Sequence, residues 1–115
     1  MPITSRYAFL VSMDVAPDRE ALFNEIYDTE HVPNLLQVPG VLAISRMKAE
    51  DFVLSIGGET QRINHESALY HAIYEIESPE VLVSAEWAKA VEAGRWPERV
   101  RPFTTNRTHA LYRLR

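Results

Sequence analysis

The chain has 115 residues, the length of one domain over residues 1–115, and its 46% hydrophobic and 24% charged residues are the balance of an ordinary soluble globular protein. The lack of cysteine excludes disulfides and thiolate metal sites and makes the cytoplasm the expected compartment, and no run resembles a secretory signal or a membrane helix. A net charge of −4 speaks against nucleic acid as a partner. That charge is uneven, however: residues 95–115 hold six arginines against the single acid Glu98, while residues 1–94 hold six basic and fifteen acidic residues. Such a tail packs on acidic surfaces of its own chain or of a partner, or forms a positive rim that steers an anionic small molecule.

Residues 6–15 alternate, with Tyr7, Phe9, Val11, Met13 and Val15 on one side and Ala8, Leu10 and Ser12 on the other. Period two predicts a strand with both faces at least half covered. Pro17 suits the first turn of a helix, and Leu22, Phe23, Ile26 and Tyr27 form its apolar stripe. Pro33 disfavours helical geometry at Val32, so this helix is expected to end near His31. Pro39 and Gly40 break the chain and launch a strand over residues 41–48. Residues 50–67 read as a hairpin, 52–56 and 59–63, around Gly57 and Gly58, or as an irregular excursion.

Residues 68–77 are rich in β formers and predict a strand. Ser78 is placed to cap a second helix, with Pro79 at its first position, Val83, Trp87 and Val91 on its apolar side and Gly94 at its end. Residues 96–105, with two prolines, read as loop, and residues 106–115 as the closing strand. The order is β-α-β-β-α-β, a ferredoxin-like α+β fold: a four-stranded antiparallel sheet with two helices on one face. Apolar and aromatic groups on the open face require a cover, and a second copy of the same sheet is the simplest one, giving a homodimer.

The candidate chemistry centres on residues 27–33. His31 adjoins Glu30 and lies three residues after Asp28. A helix C-terminus and these acids would favour the imidazolium, burial would oppose it, and a histidine poised near neutrality can shuttle protons. His31 is thus the candidate general acid/base, with Glu30 or Asp28 orienting it; its plain alternative is a helix-end residue bonding the last carbonyls. Tyr27, Tyr70 and Tyr74 could line a pocket or simply form core, and Trp96 beside Pro97 could lid a pocket or plug an edge. Arg46 and Arg107 lie on expected strands, where an arginine either clamps a carboxylate or makes surface salt bridges. The histidines (His31, His65, His71, His109) are scattered without a ligand pair, and there is no phosphate-cradling glycine loop or nucleophile elbow. Neither metal nor cofactor is expected.

The segment from Glu25 through Tyr27, Asp28, Glu30 and His31 to Pro33 resembles small EthD-like proteins of the dimeric α+β barrel superfamily. So does the run Leu35, Leu36, Val38, Pro39, Gly40, Val41, and likewise Tyr74 through Ser78, Pro79 and Glu80. Two features depart from that pattern: Ile26 stands where relatives often carry the first of two aromatics, and the insertion around Gly57 and Gly58 has no match. The resemblance implies a homodimer with facing sheets and small-molecule pockets between sheet and helices. It also implies an activity among cofactor-free oxygenases, isomerases and cyclases acting on a hydrophobic or aromatic metabolite. The alternative is a non-catalytic ligand-binding or accessory protein of an oxidative catabolic pathway.

Overall fold

A computed structural model describes residues 3–65 and 68–115. What the sequence suggests for Met1, Pro2, Glu66 and Ser67 lies outside the described residues. Strands β1 (Tyr7–Val15), β2 (Val41–Lys48), β5 (Tyr70–Ile76) and β6 (Thr104–Arg113) form one antiparallel sheet in the order β2-β5-β1-β6. This is the expected ferredoxin-like arrangement, with the first and third core strands at its centre. Between β2 and β5 the chain makes the expected hairpin, β3 (Phe52–Ile56) and β4 (Glu59–Ile63), turning through Gly57 and Gly58, both at positive φ. The hairpin forms its own two-stranded sheet, and every residue of β3 is exposed.

The first helical segment departs from expectation. A 3₁₀ turn (Pro17–Arg19) leads into α1 (Glu20–Ile26), a π turn (Tyr27–His31) and α2 (Val32–Leu36), with right-handed helical backbone at Ile26, Tyr27, His31 and Val32. The helix therefore does not stop at His31. An ordinary turn would need a Pro33 N–H and would push its ring into the carbonyl four residues back. In the π turn the Val32 N–H instead bonds the Tyr27 carbonyl, five residues back, and the wider turn accommodates the proline. The chain reverses later, at Gly40, whose φ of 92° favours glycine.

The second helical segment is broken too. A 3₁₀ turn (Pro79–Val83) precedes α3 (Ala85–Ala90), and the capping serine is Ser84 rather than Ser78: the Trp87 N–H donates to Ser84 Oγ at 3.1 Å. Val83, expected on the apolar side, is 85% exposed because it faces outward from the 3₁₀ turn. Residues expected as loop form a π turn (Trp96–Val100) and a 3₁₀ turn (Arg101–Phe103). Pro97 and Pro102 sit in their opening positions, where a missing N–H sacrifices no bond.

The core lies between the sheet and these helical segments. Phe23, Ile26 and Ile76 are fully buried, and β5 alternates strictly, with Tyr70, Ala72, Tyr74 and Ile76 turned inward. Val11 and Met13 of β1 join them, as the sequence alternation predicts. The tyrosines of β5 thus belong to the covered face. Register puts Ala8, Leu10, Ala43, Ile73, Ala110 and Tyr112 on the opposite one together with Ser12, Ser45, His71, Glu75 and Thr108, so that face mixes aliphatic with polar side chains and carries few aromatics. Among the described residues no helix is long and apolar enough to cross a membrane.

Candidate functional site

Between the sheet and the helical segments lies a cavity of about 260 Å³. Phe9, Val11 and Met13 of β1 and Tyr74 of β5 form its floor, and Tyr27, His31 and Leu35 enter from the first helix. Leu82, Trp87, Val91 and Trp96 close it from the second helical segment and the turn that follows, and Arg101, Arg107 and His109 complete the lining. The π turn places two of these groups. Tyr27 and His31 are one turn apart, and both are buried (3% and 5% exposed).

The His31 ring stacks on Trp96, centroids 4.2 Å apart at 15°, and meets Tyr27 edge-on at 5.0 Å. Its Nδ1 is buried and has no hydrogen-bond partner among the described residues. Burial, and then the repulsion of Arg101 and Arg46, lowers its pKa from 6.5 to about 4. Inside a continuous helix it receives none of the terminal dipole that an end at His31 would supply. The imidazole is therefore neutral at pH 7.

The Tyr27 and Tyr74 hydroxyls hydrogen-bond each other within the core. Burial is the main cause that raises both phenol pKa values, Tyr74 the further, so both are neutral donors.

Neither acid orients the imidazole, which corrects the role expected for them. Asp28 accepts from Arg46 at 2.7 Å. Glu30 accepts from the Arg95 backbone N–H at 2.9 Å and from its Nε at 2.5 Å. The reason is helical geometry: His31 points to the core while Asp28 and Glu30 flank it toward solvent. Glu30 instead ties the first helix to the start of the turn that carries Trp96. Gly94 makes room for it, since a Cβ there would lie 2.5 Å from Glu30 Oε1. The hydrogen bonds to Arg95 hold the Glu30 carboxyl below its usual range.

Arg46 and Tyr70 stand apart from this cavity. They line a crevice of about 10 Å³, room for roughly one water, that shares Tyr27 with it. The Arg46 guanidinium lies 4.3 Å over the Tyr27 ring and bonds Asn24 and Asp28. The Tyr70 hydroxyl donates to Glu20 at 2.9 Å and accepts from Asn24. This network braces the outer side of Tyr27. Of the nine residues singled out in the sequence, Tyr27, His31, Tyr74, Trp96 and Arg107 meet at one cavity.

Sequence reasoning missed Leu82, Trp87, Arg101 and His109 as cavity residues, and left Arg107 between two roles. The signal for Arg107 and His109 was their shared strand face, which becomes readable only once β6 is placed. A bulge sets that face: Ser12 pairs with Thr108 but Asp14 pairs with Thr105, so β6 carries one extra residue. Asn106 takes that place at φ 54°, a conformation asparagine tolerates, and its side chain donates to Asp14 at 2.8 Å. Arg107 then turns inward beside Met13. The basic tail is partly absorbed within the chain, with Arg95 on Glu30 and Arg101 on Glu92.

No family model matches the chain, and no curated protein matches it. Solved structures do. An EthD family protein from Bacillus halodurans superposes with a TM-score of 0.58 at 14% identity, covering 95% of this chain and 99% of that one. The chain has that fold. SnoaB, a cofactor-independent oxygenase from Streptomyces nogalater, gives 0.57 at 14% identity over 95% of this chain and 92% of its own. The heme degrader MhuD from Mycobacterium tuberculosis, solved with two hemes bound in its active site, gives 0.57 at 13% identity over 94% of both chains. The likeness to EthD-like proteins read from the sequence is thus found again in the structure, at the level of fold.

Proposed function

We propose that the chain binds a small, mostly apolar aromatic metabolite in the cavity under Trp96. We propose further that His31 takes a proton from the bound molecule, as in a cofactor-independent oxygenase, isomerase or cyclase. The observation that carries this reading is a buried, neutral, unbonded imidazole in the wall of a cavity lined largely by aromatic and aliphatic side chains. A neutral imidazole is the form a general base needs. Nδ1 is buried, and we take Nε2 as the nitrogen that would meet the ligand. Of the hydrogen-bonded pair Tyr27 and Tyr74, the hydroxyl that accepts from the other would donate its own proton to an oxygen on which charge develops. The fold shared with a cofactor-independent oxygenase supports the same reading.

The test uses 2-tetralone, a bicyclic ketone with an acidic benzylic carbon. Deuterium uptake in D₂O is followed by NMR with the native protein and with His31→Ala. The protein is expected to accelerate exchange, and the variant to lose about 10²–10⁴-fold of that acceleration. Equal rates in a folded variant would remove His31 from the chemistry.

A second reading is non-catalytic binding. It is favoured by one observation, that among the described residues no carboxylate orients the imidazole. It expects tight binding without exchange. For the assembly, we propose a homodimer through the open sheet face, on which Leu10 and Ile73 are only half-buried. Light scattering at micromolar concentration is expected to give twice the 13.2 kDa chain mass, and a monomer refutes it.

A further inference from the structure

The cavity lining holds four groups able to carry positive charge, His31, Arg101, Arg107 and His109, and no carboxylate. This stands out in a chain with sixteen acidic and twelve basic residues. Arg101 is already neutralised: it bonds both oxygens of Glu92 and the Val91 carbonyl. Arg107 is not. Among the described residues it makes no hydrogen bond and no ion pair. His109, two residues on and on the same strand face, stacks on Phe9 at 5.8 Å and likewise makes no hydrogen bond to a described residue. Both are exposed at the outer strand of the sheet, so they form the mouth of the cavity rather than its floor. The Asn106 bulge, pinned by Asp14, turns them inward.

We propose that the ligand of this cavity is an aromatic anion, and that Arg107, with His109 beside it, receives its carboxylate or phenolate at the mouth. The inference rests on the cavity being a ligand site, as argued above. Its geometry is a division of labour. The aromatic body lies on Phe9, Trp87 and Trp96, and the charge stays at the rim, where a guanidinium offers two parallel N–H donors. A rim cation also steers anions toward an otherwise acidic protein, an effect that salt weakens.

Three probes of one shape separate the terms: 2-naphthoate, 2-naphthalenemethanol and 2-naphthylmethylamine, titrated into the full chain by calorimetry at low salt. Naphthoate is expected to bind at least about tenfold tighter than the alcohol, and the amine weakest. Arg107→Gln is expected to abolish most of that preference by weakening naphthoate at least about tenfold more than the alcohol, and Arg107→Lys to keep part of it. The variant alters an exposed side chain, and its unfolding midpoint checks that the fold is kept. If the alcohol binds but naphthoate binds no better, or the preference survives Arg107→Gln, anion recognition is overturned and the cavity reading stands. If none of the three binds, both fall together.

Discussion

Replacing His31 with leucine is expected to make the protein more stable, by about 1 kcal/mol at pH 7 and roughly 3 kcal/mol at pH 5, while abolishing proton abstraction. At pH 7 two terms compete. The variant removes a buried nitrogen without a partner, a penalty of about 1–3 kcal/mol, and loses the ring contacts to Trp96 and Tyr27, about 0.5–1.5 kcal/mol. The pH dependence follows from the lowered pKa, about 4 folded against 6.5 unfolded. Between those values the unfolded chain holds a proton that the folded chain does not, so stability falls as pH falls. The loss reaches roughly 2 kcal/mol at pH 5 and about 3 kcal/mol at pH 4, then levels off. The leucine variant lacks this slope. Carboxylates with lowered values, Asp14 and Glu30 among them, are protonated in the unfolded chain only near 3.8 and 4.5, so their loss of stability starts at lower pH. Urea unfolding from pH 7 to pH 4 measures the difference, and parallel curves for the two proteins refute it. A residue that lowers stability where it stands is what a functional site is expected to hold.

Phe23→Ala is expected to cost about 3–5 kcal/mol, the usual range for emptying a buried aromatic site. Phe23 is fully buried and joins the two halves of the site. Its ring meets Tyr27 and Trp96 on the cavity side, at 5.6 and 5.9 Å, and Tyr70 at 5.0 Å, with the Arg46 guanidinium 5.3 Å from its centre. The void cannot collapse easily, because the strand behind it and the Arg46 network are both fixed. The denaturation midpoint in urea should drop at unchanged slope, and Trp96 emission should shift to the red as its support loosens. A loss under about 1 kcal/mol would show that the site relaxes and that Phe23 does not brace Trp96.

The strands were the most legible part of the chain, because burial of one face writes a period of two into the residues. Residues 41–48 and both arms of the hairpin match observation, and the alternation of Tyr7 to Val15 identified the covered face of β1. The helical stretches were less legible. Pro33 is a stop signal for an α-helix, and a π turn is invisible to a rule built on the 3.6 period. Ser84 does not stand out as the cap in the sequence, because Ser78 and Pro79 offer a helix start six residues earlier.

Five of the candidate residues meet at one cavity, and Tyr27 and His31 do so because they share a buried helical stripe. Arg46 and Tyr70 do not, because adjacent crevices on one sheet look alike in sequence. Glu30 does not reach His31 because adjacent residues leave a helix in different directions, and Asp28, three residues away, is held instead by Arg46.

What the amino-acid sequence determines here is local: strand faces, breaks at Gly40 and Gly57–Gly58, the order β-α-β-β-α-β, and a histidine among residues bound for the core. Short-range sterics and hydrophobic period settle these without reference to the rest of the chain. The tertiary structure alone decides the state of His31. Its charge depends on how completely Trp96, 65 residues away, covers it and on where Arg46 and Arg101 arrive. Desolvation and Coulomb interaction are sums over neighbours in space, and those neighbours come from stretches far apart in the chain.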